Sequence, residues 1–168
     1  MVINDTTSVP VFPGRTNVKA QVPAHLGVSS WNGTLAGGQR GDVTLRVGIS
    51  QAGDAAVQKA VLTSLDRCER STVLEPAGCP LGYSAYWITA SDVRWTYTPK
   101  TRRSWATEVD DDGSVRVSGT AEGTVSYTYT PSYAPSRQPS TDSDSGRASY
   151  RGTITFDGDG GATFRMGS

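Results

Sequence analysis

Histidine, cysteine and lysine are all scarce in this chain, and neither net charge nor a long apolar run builds up along it. It holds one histidine, His25, two cysteines, Cys68 and Cys79, and three lysines, Lys19, Lys59 and Lys100, in 168 residues. With one histidine, a Ser-His-Asp triad has to pass through His25, which lies in the loop-like stretch Val22-Pro23-Ala24-His25-Leu26-Gly27. No Gly-x-Ser-x-Gly elbow accompanies it. A zinc site drawn from Cys68, Cys79 and His25 lacks paired Cys-x-x-Cys spacing and needs a carboxylate as its fourth ligand. The expectation is a protein with no catalytic residue, no metal and no cofactor, and so not an enzyme.

Sixteen basic residues balance sixteen acidic ones, so no net field gathers nucleic acid or holds the chain on an anionic membrane. Nucleic acid is not expected as a partner. No run approaches the ~20 apolar residues that a spanning helix needs. The opening Met1-Val2-Ile3-Asn4-Asp5-Thr6 lacks the charged n-region and apolar core of a signal peptide. Membrane association is therefore expected only through an anchor outside these residues. The length suits one core with a small appendage, and a monomer.

What the chain does have is one isolated cysteine pair in a telling place. Cys68 ends a helix-like stretch, and Cys79 follows it in Leu74-Glu75-Pro76-Ala77-Gly78-Cys79-Pro80. A disulfide is the expected use. Closing a loop of about a dozen residues stabilises a fold by roughly 3 kcal/mol, and such bonds persist in oxidising compartments. The expected location is extracytoplasmic, secreted or tethered on the outer face of a membrane.

Hydrophobic patterning divides the chain into a β-rich N-terminal segment, 1–51, and an α+β domain, 52–168. Val9 to Phe12, Asn17 to Val22 and Val43 to Ile49 read as strands, with Gly27 to Gly41 as loop. Asp54 can cap a helix from Ala55 to Cys68 that aligns Val57, Val61, Leu65 and Cys68 on one stripe. From Tyr86 to Thr98 aromatic and β-branched residues predict a long bent strand with a bulge near Ala90 or Ser91. Further strands are expected at Ser104 to Val109, Ser114 to Ser118, Gly123 to Thr130, Ser149 to Phe156 and Ala162 to Met166. The Pro- and Ser-rich stretch Pro131 to Arg147 reads as a mobile loop. Asp110-Asp111-Asp112-Gly113 and Asp157-Gly158-Asp159-Gly160-Gly161 lack the Glu that closes a calcium loop and read as hairpin turns. The resulting fold class is α+β: one main helix packed on a strongly curved antiparallel sheet of about six strands, preceded by a small β-rich segment.

Three stretches carry a family resemblance: Val9-Pro10-Val11-Phe12-Pro13-Gly14, the helix end Leu65-Asp66-Arg67-Cys68 with its return through Leu74 to Pro80, and Val93-Arg94-Trp95. Together they resemble the extracytoplasmic domains of actinobacterial membrane proteins, which are similar to the cone-shaped fold of nuclear transport factor 2. The resemblance spans about Val9 to Trp95, and departs from the pattern at Arg15-Thr16, where a tyrosine commonly follows. It implies a compartment and a cone fold, and it transfers no catalytic residue.

One segment interleaves aromatic with basic residues: Arg94, Trp95, Tyr97, Lys100, Arg102, Arg103 and Trp105. Such a surface can stack sugar rings and pair with anionic groups. The preferred alternative is that Trp95 and Tyr97 are core residues while Lys100, Arg102 and Arg103 solvate a turn. The functional expectation is a non-catalytic extracytoplasmic binding or structural module of a bacterial cell-envelope protein, whose partner is an envelope protein or glycan. The alternative is a small-molecule-binding or hydrolytic domain using a pocket between helix and concave sheet, lined by Trp87 or Trp95.

Overall fold

The computed structural model describes residues 14–35, 45–85, 88–110, 112–131 and 138–167. Val9 to Phe12, Val43, Thr44, Tyr86 and Trp87, named above, lie outside the described residues. One helix packs against a strongly curled antiparallel sheet that forms a half-barrel, so the α+β class holds. The sheet has five strands: β5 (Ile88–Tyr97), β6 (Trp105–Val109), β7 (Val115–Pro131), β8 (Ser140–Phe156) and β9 (Ala162–Met166).

Helix α1 (Gln51–Glu69) starts earlier than the sequence pattern predicts. Its N-cap is Ser50, whose Oγ accepts from the Gly53 N–H at 3.0 Å, and Asp54 falls in the first turn instead. The His25 carbonyl lies against Gly53 inside this first turn, where a Cβ would collide with it. The glycine that looks like a break is a point of close approach. Val57, Val61, Leu65 and Cys68 are fully buried, as their spacing requires. Cys68 and Cys79 form the expected disulfide, with Cα atoms 5.7 Å apart.

β7 is the spine of the sheet. Its second half pairs with β5 and its first half with β6 on one flank, while β8 runs along the other. The sequence expectation of two strands here, Ser114 to Ser118 and Gly123 to Thr130, is corrected to one continuous strand. Gly119 and Gly123 do not break it. Tyr150 lies over Gly119, and Leu81 and the Thr96 carbonyl lie against Gly123. The merger explains why there are five strands rather than about six.

The expected mobile loop from Pro131 to Arg147 is corrected in part. Ser140 to Arg147 belongs to β8 and pairs with β7 from Tyr129 to Glu122. Backbone pairing to a well-buried neighbour holds this polar stretch, whose side chains are almost all exposed and so leave no hydrophobic trace in the sequence. In β5 the register shifts between Ser91 and Arg94, where Asp92 takes a left-handed φ of 53°, matching the expected bulge.

Ahead of α1, β1 (Gly14–Val18) pairs with β3 (Trp31–Leu35), and β2 (Leu26–Val28) with β4 (Val47–Ile49). Strand structure thus occupies part of Gly27 to Gly41, which the sequence pattern assigns to loop. Leu26 joins the main core.

Candidate functional site

The segment from Arg94 to Trp105 does not stay together as a platform. Strand alternation sends Trp95 and Tyr97 inward, where they are 6% and 4% exposed, and the Trp95 indole N–H donates to the Val73 carbonyl at 3.0 Å. These two are core residues, which corrects their reading as exposed contacts. Arg102 is committed as well. It bridges Asp66 at 2.8 Å and Glu69 at 2.5 Å, one helical turn apart at the end of α1. Asp66 and then Glu69 hold its guanidinium still more firmly in the charged form. Glu69 also accepts the Tyr97 N–H at 2.8 Å, covering part of the β5 edge. What stays available is Arg94, Lys100 and Arg103, all exposed, and a half-buried Trp105.

Thr101 explains how this connection is built, and nothing in the sequence announces it. Between the end of β5 and the start of β6, Glu122 of β7 faces Arg147 of β8 on one flank and takes the Thr98 N–H at its carbonyl at 2.8 Å on the other, but has no β5 or β6 partner. The fully buried Thr101 supplies one: its Oγ1 donates to the Glu122 carbonyl at 3.0 Å and accepts the Glu122 N–H at 2.8 Å. A hydroxyl thus does the work of a ladder residue. Beside this gap lies an open, shallow hollow of about 330 Å³ lined by Lys100, Ser104, Trp105, Ser118, Thr120 and Arg147. Arg147 makes a 3.3 Å ion pair with Glu122, whereas Lys100 has no carboxylate partner among the described residues. Two cations, three hydroxyls and an aromatic ring around a shallow depression suit an anionic, hydroxyl-rich ligand.

The space between α1 and the concave sheet is occupied by side chains. Leu81 covers Gly123 and Gly146, Tyr150 covers Gly119, and Phe164 covers Gly152. Ser64, Tyr97 and Tyr150 keep a buried hydroxyl without a hydrogen-bond partner among the described residues. Burial pushes the Tyr97 phenol up to about 12, with the Leu81 backbone opposing slightly and the Glu69 carboxylate adding. The Leu81 backbone lies near the oxygen but outside hydrogen-bond geometry, which leaves the hydroxyl unsatisfied among the described residues. Burial also raises Tyr150.

Beyond the helix the concave face ends in an aromatic and acidic rim. Tyr83 and Tyr127 have ring centroids 5.5 Å apart, and Tyr127 and Tyr129 6.1 Å. On the adjoining strand Asp142 stands opposite Tyr127 and Asp144 opposite Val125, on the same face of the sheet. The Tyr83 phenol, then burial, then the two carboxylates raise Tyr127 far above the ordinary phenol range. Sequence reasoning missed this rim, because the aspartates lie in the stretch read as loop.

His25 stacks on Phe156 with centroids 3.9 Å apart and planes 8° from parallel, a packing role. Asp112 and Asp157 each spend a carboxylate within their own turn. Asp112 accepts from Ser114 N–H at 2.8 Å, and Asp157 accepts from Asp159 and Gly161 N–H at 3.1 and 2.6 Å. Among the described residues no helix is long and apolar enough to cross a membrane, and no group of three His, Cys, Asp or Glu side chains is placed to hold a metal ion. No family model, curated protein or solved structure matches the chain.

Proposed function

We propose that this is a non-catalytic extracytoplasmic binding module of a cell-envelope protein, and that it takes an anionic envelope glycan in the hollow between Lys100 and Arg147. The disulfide is consistent with an oxidising location. The observation that carries the reading is a depression lined by Lys100, which has no carboxylate partner among the described residues, and by Arg147, and edged by Ser104, Ser118, Thr120 and Trp105. A shallow, open hollow suits the flank of a polymer better than an engulfed small molecule. A pocket between helix and sheet is not favoured, since Leu81, Tyr150 and Phe164 fill that space.

The test is binding of purified wall polysaccharide, with and without its phosphate groups, to the parent and to Lys100→Ala plus Arg147→Ala. Binding should require the anionic groups, weaken as salt rises, and fall at least about tenfold in the double variant. Stability should stay within about 0.5 kcal/mol, because the Arg147–Glu122 pair is largely exposed. Equal binding by parent and variant sinks the reading.

A further inference from the structure

We propose that the edge of β8 from Thr141 to Ser149, which no strand among the described residues covers, accepts an extended cationic polypeptide segment as an added strand. This goes beyond the glycan reading and uses different side chains. β9 covers only Gly152 to Phe156 of that edge. The Gly167 N–H donates to the Arg151 carbonyl at 2.9 Å on the β9 side, which fixes the direction of the backbone. By strand alternation Thr141, Ser143, Ser145, Arg147 and Ser149 therefore turn both N–H and C=O away from β7. Their carbonyls have no partner among the described residues, and two of their N–H groups are met only locally. Asp142 Oδ1 accepts from Ser143 N–H at 2.8 Å, and Asp144 Oδ1 from Ser145 N–H at 2.7 Å.

The two aspartates thus guard the edge and also say what opens it. Folded over the outward donors, they discourage casual pairing. Neither makes an ion pair within 4.0 Å among the described residues. An incoming strand with Lys or Arg at alternate positions would place one cation opposite each carboxylate, draw it off the N–H, and take over that donor with its own carbonyl. The next position on the same face is Gly146, which carries no side chain of its own and is met by Leu81, so an apolar side chain two residues further along the partner finds an apolar contact there. Edge-to-edge pairing of two copies brings four carboxylates to one short seam, which argues for a partner of opposite charge.

The probe is a fluorescent seven-residue peptide with arginine at its second and fourth positions, valine at its sixth and threonine elsewhere. It should bind by anisotropy, and should slow amide exchange at Thr141, Ser143, Ser145 and Arg147. Asp142→Asn plus Asp144→Asn should weaken it about tenfold. Two further peptides carry N-methyl groups on alternate backbone nitrogens, one on each set. The set that faces β8 should abolish binding, and the other should spare it, with charge unchanged throughout. Equal binding by both methylated peptides, no binding by the parent peptide, exchange protection confined elsewhere, or self-association of the protein in place of peptide capture each overturns strand addition. The glycan reading is untouched by these outcomes, since it depends on Lys100 and the Arg147 side chain.

Discussion

At the scale of single residues, the most exposed weakness of this fold is a buried hydroxyl with nothing to bond. Tyr97 is almost wholly inside, between Gly123 and the Leu81 side chain, and its oxygen has no partner among the described residues. Removing an unsatisfied buried donor while keeping the ring is neutral or favourable. Tyr97→Phe is therefore expected to leave neutral-pH stability unchanged or raise it by up to about 1 kcal/mol in urea unfolding. The same residue gives alkaline sensitivity with a definite sign. Its folded value, about 12, lies above the ordinary 10.0, so the fold favours the neutral phenol. That contribution is fully present below pH 10 and is lost as pH rises through 12. Thermal melts should fall between those limits, and Tyr97→Phe should fall less. A Phe variant that loses more than about 1 kcal/mol at neutral pH shows that the hydroxyl is bonded after all.

At the scale of elements, glycines mark close approaches inside helix and strand rather than their ends, and they are what the sequence hides best. Gly53 sits inside α1 with the His25 carbonyl against it. Alanine gains about 1 kcal/mol of helix propensity over glycine, but forcing a methyl group into a filled site costs about 1–3 kcal/mol. Gly53→Ala should thus be destabilising on balance, by about 1 kcal/mol in chemical unfolding. A gain in stability shows that the His25 loop yields freely. The central stripe of α1 was legible because Val57, Val61 and Leu65 recur at helical spacing; its first turn was not, because the contact that demands Gly53 comes from a residue 28 positions earlier. The same applies to Gly119 and Gly123, which read as breaks until the groups covering them are known. Ser140 to Arg147 was illegible for the opposite reason. It buries almost no side chain, and backbone pairing carries no residue signature. The rim formed by Tyr127, Tyr129, Asp142 and Asp144 stayed hidden with it.

At the scale of the whole molecule, the disulfide does more than close a loop. From Cys68 to Tyr83 the chain leaves α1, receives the Trp95 indole at Val73, bonds Tyr83 N–H to Leu74 O at 2.7 Å, and sets Leu81 over Gly123 and Gly146. Cys68→Ser plus Cys79→Ser should lower stability by about 3 kcal/mol, and reduction of the parent should match it in equilibrium unfolding. A loss under about 1 kcal/mol places the strength of this corner in packing alone. The pairing of β7 with β8 carries a different consequence. Tyr150 sits over Gly119 and Phe164 over Gly152, large side chains set against absent ones. A slip of two residues keeps the pattern of backbone bonds and every face, yet drives Tyr150 into Val117 or Ala121. The glycines therefore act as a combination that only one alignment of the ribbon opens, separating the native arrangement from near-copies that patterning of polar and apolar residues could not tell apart.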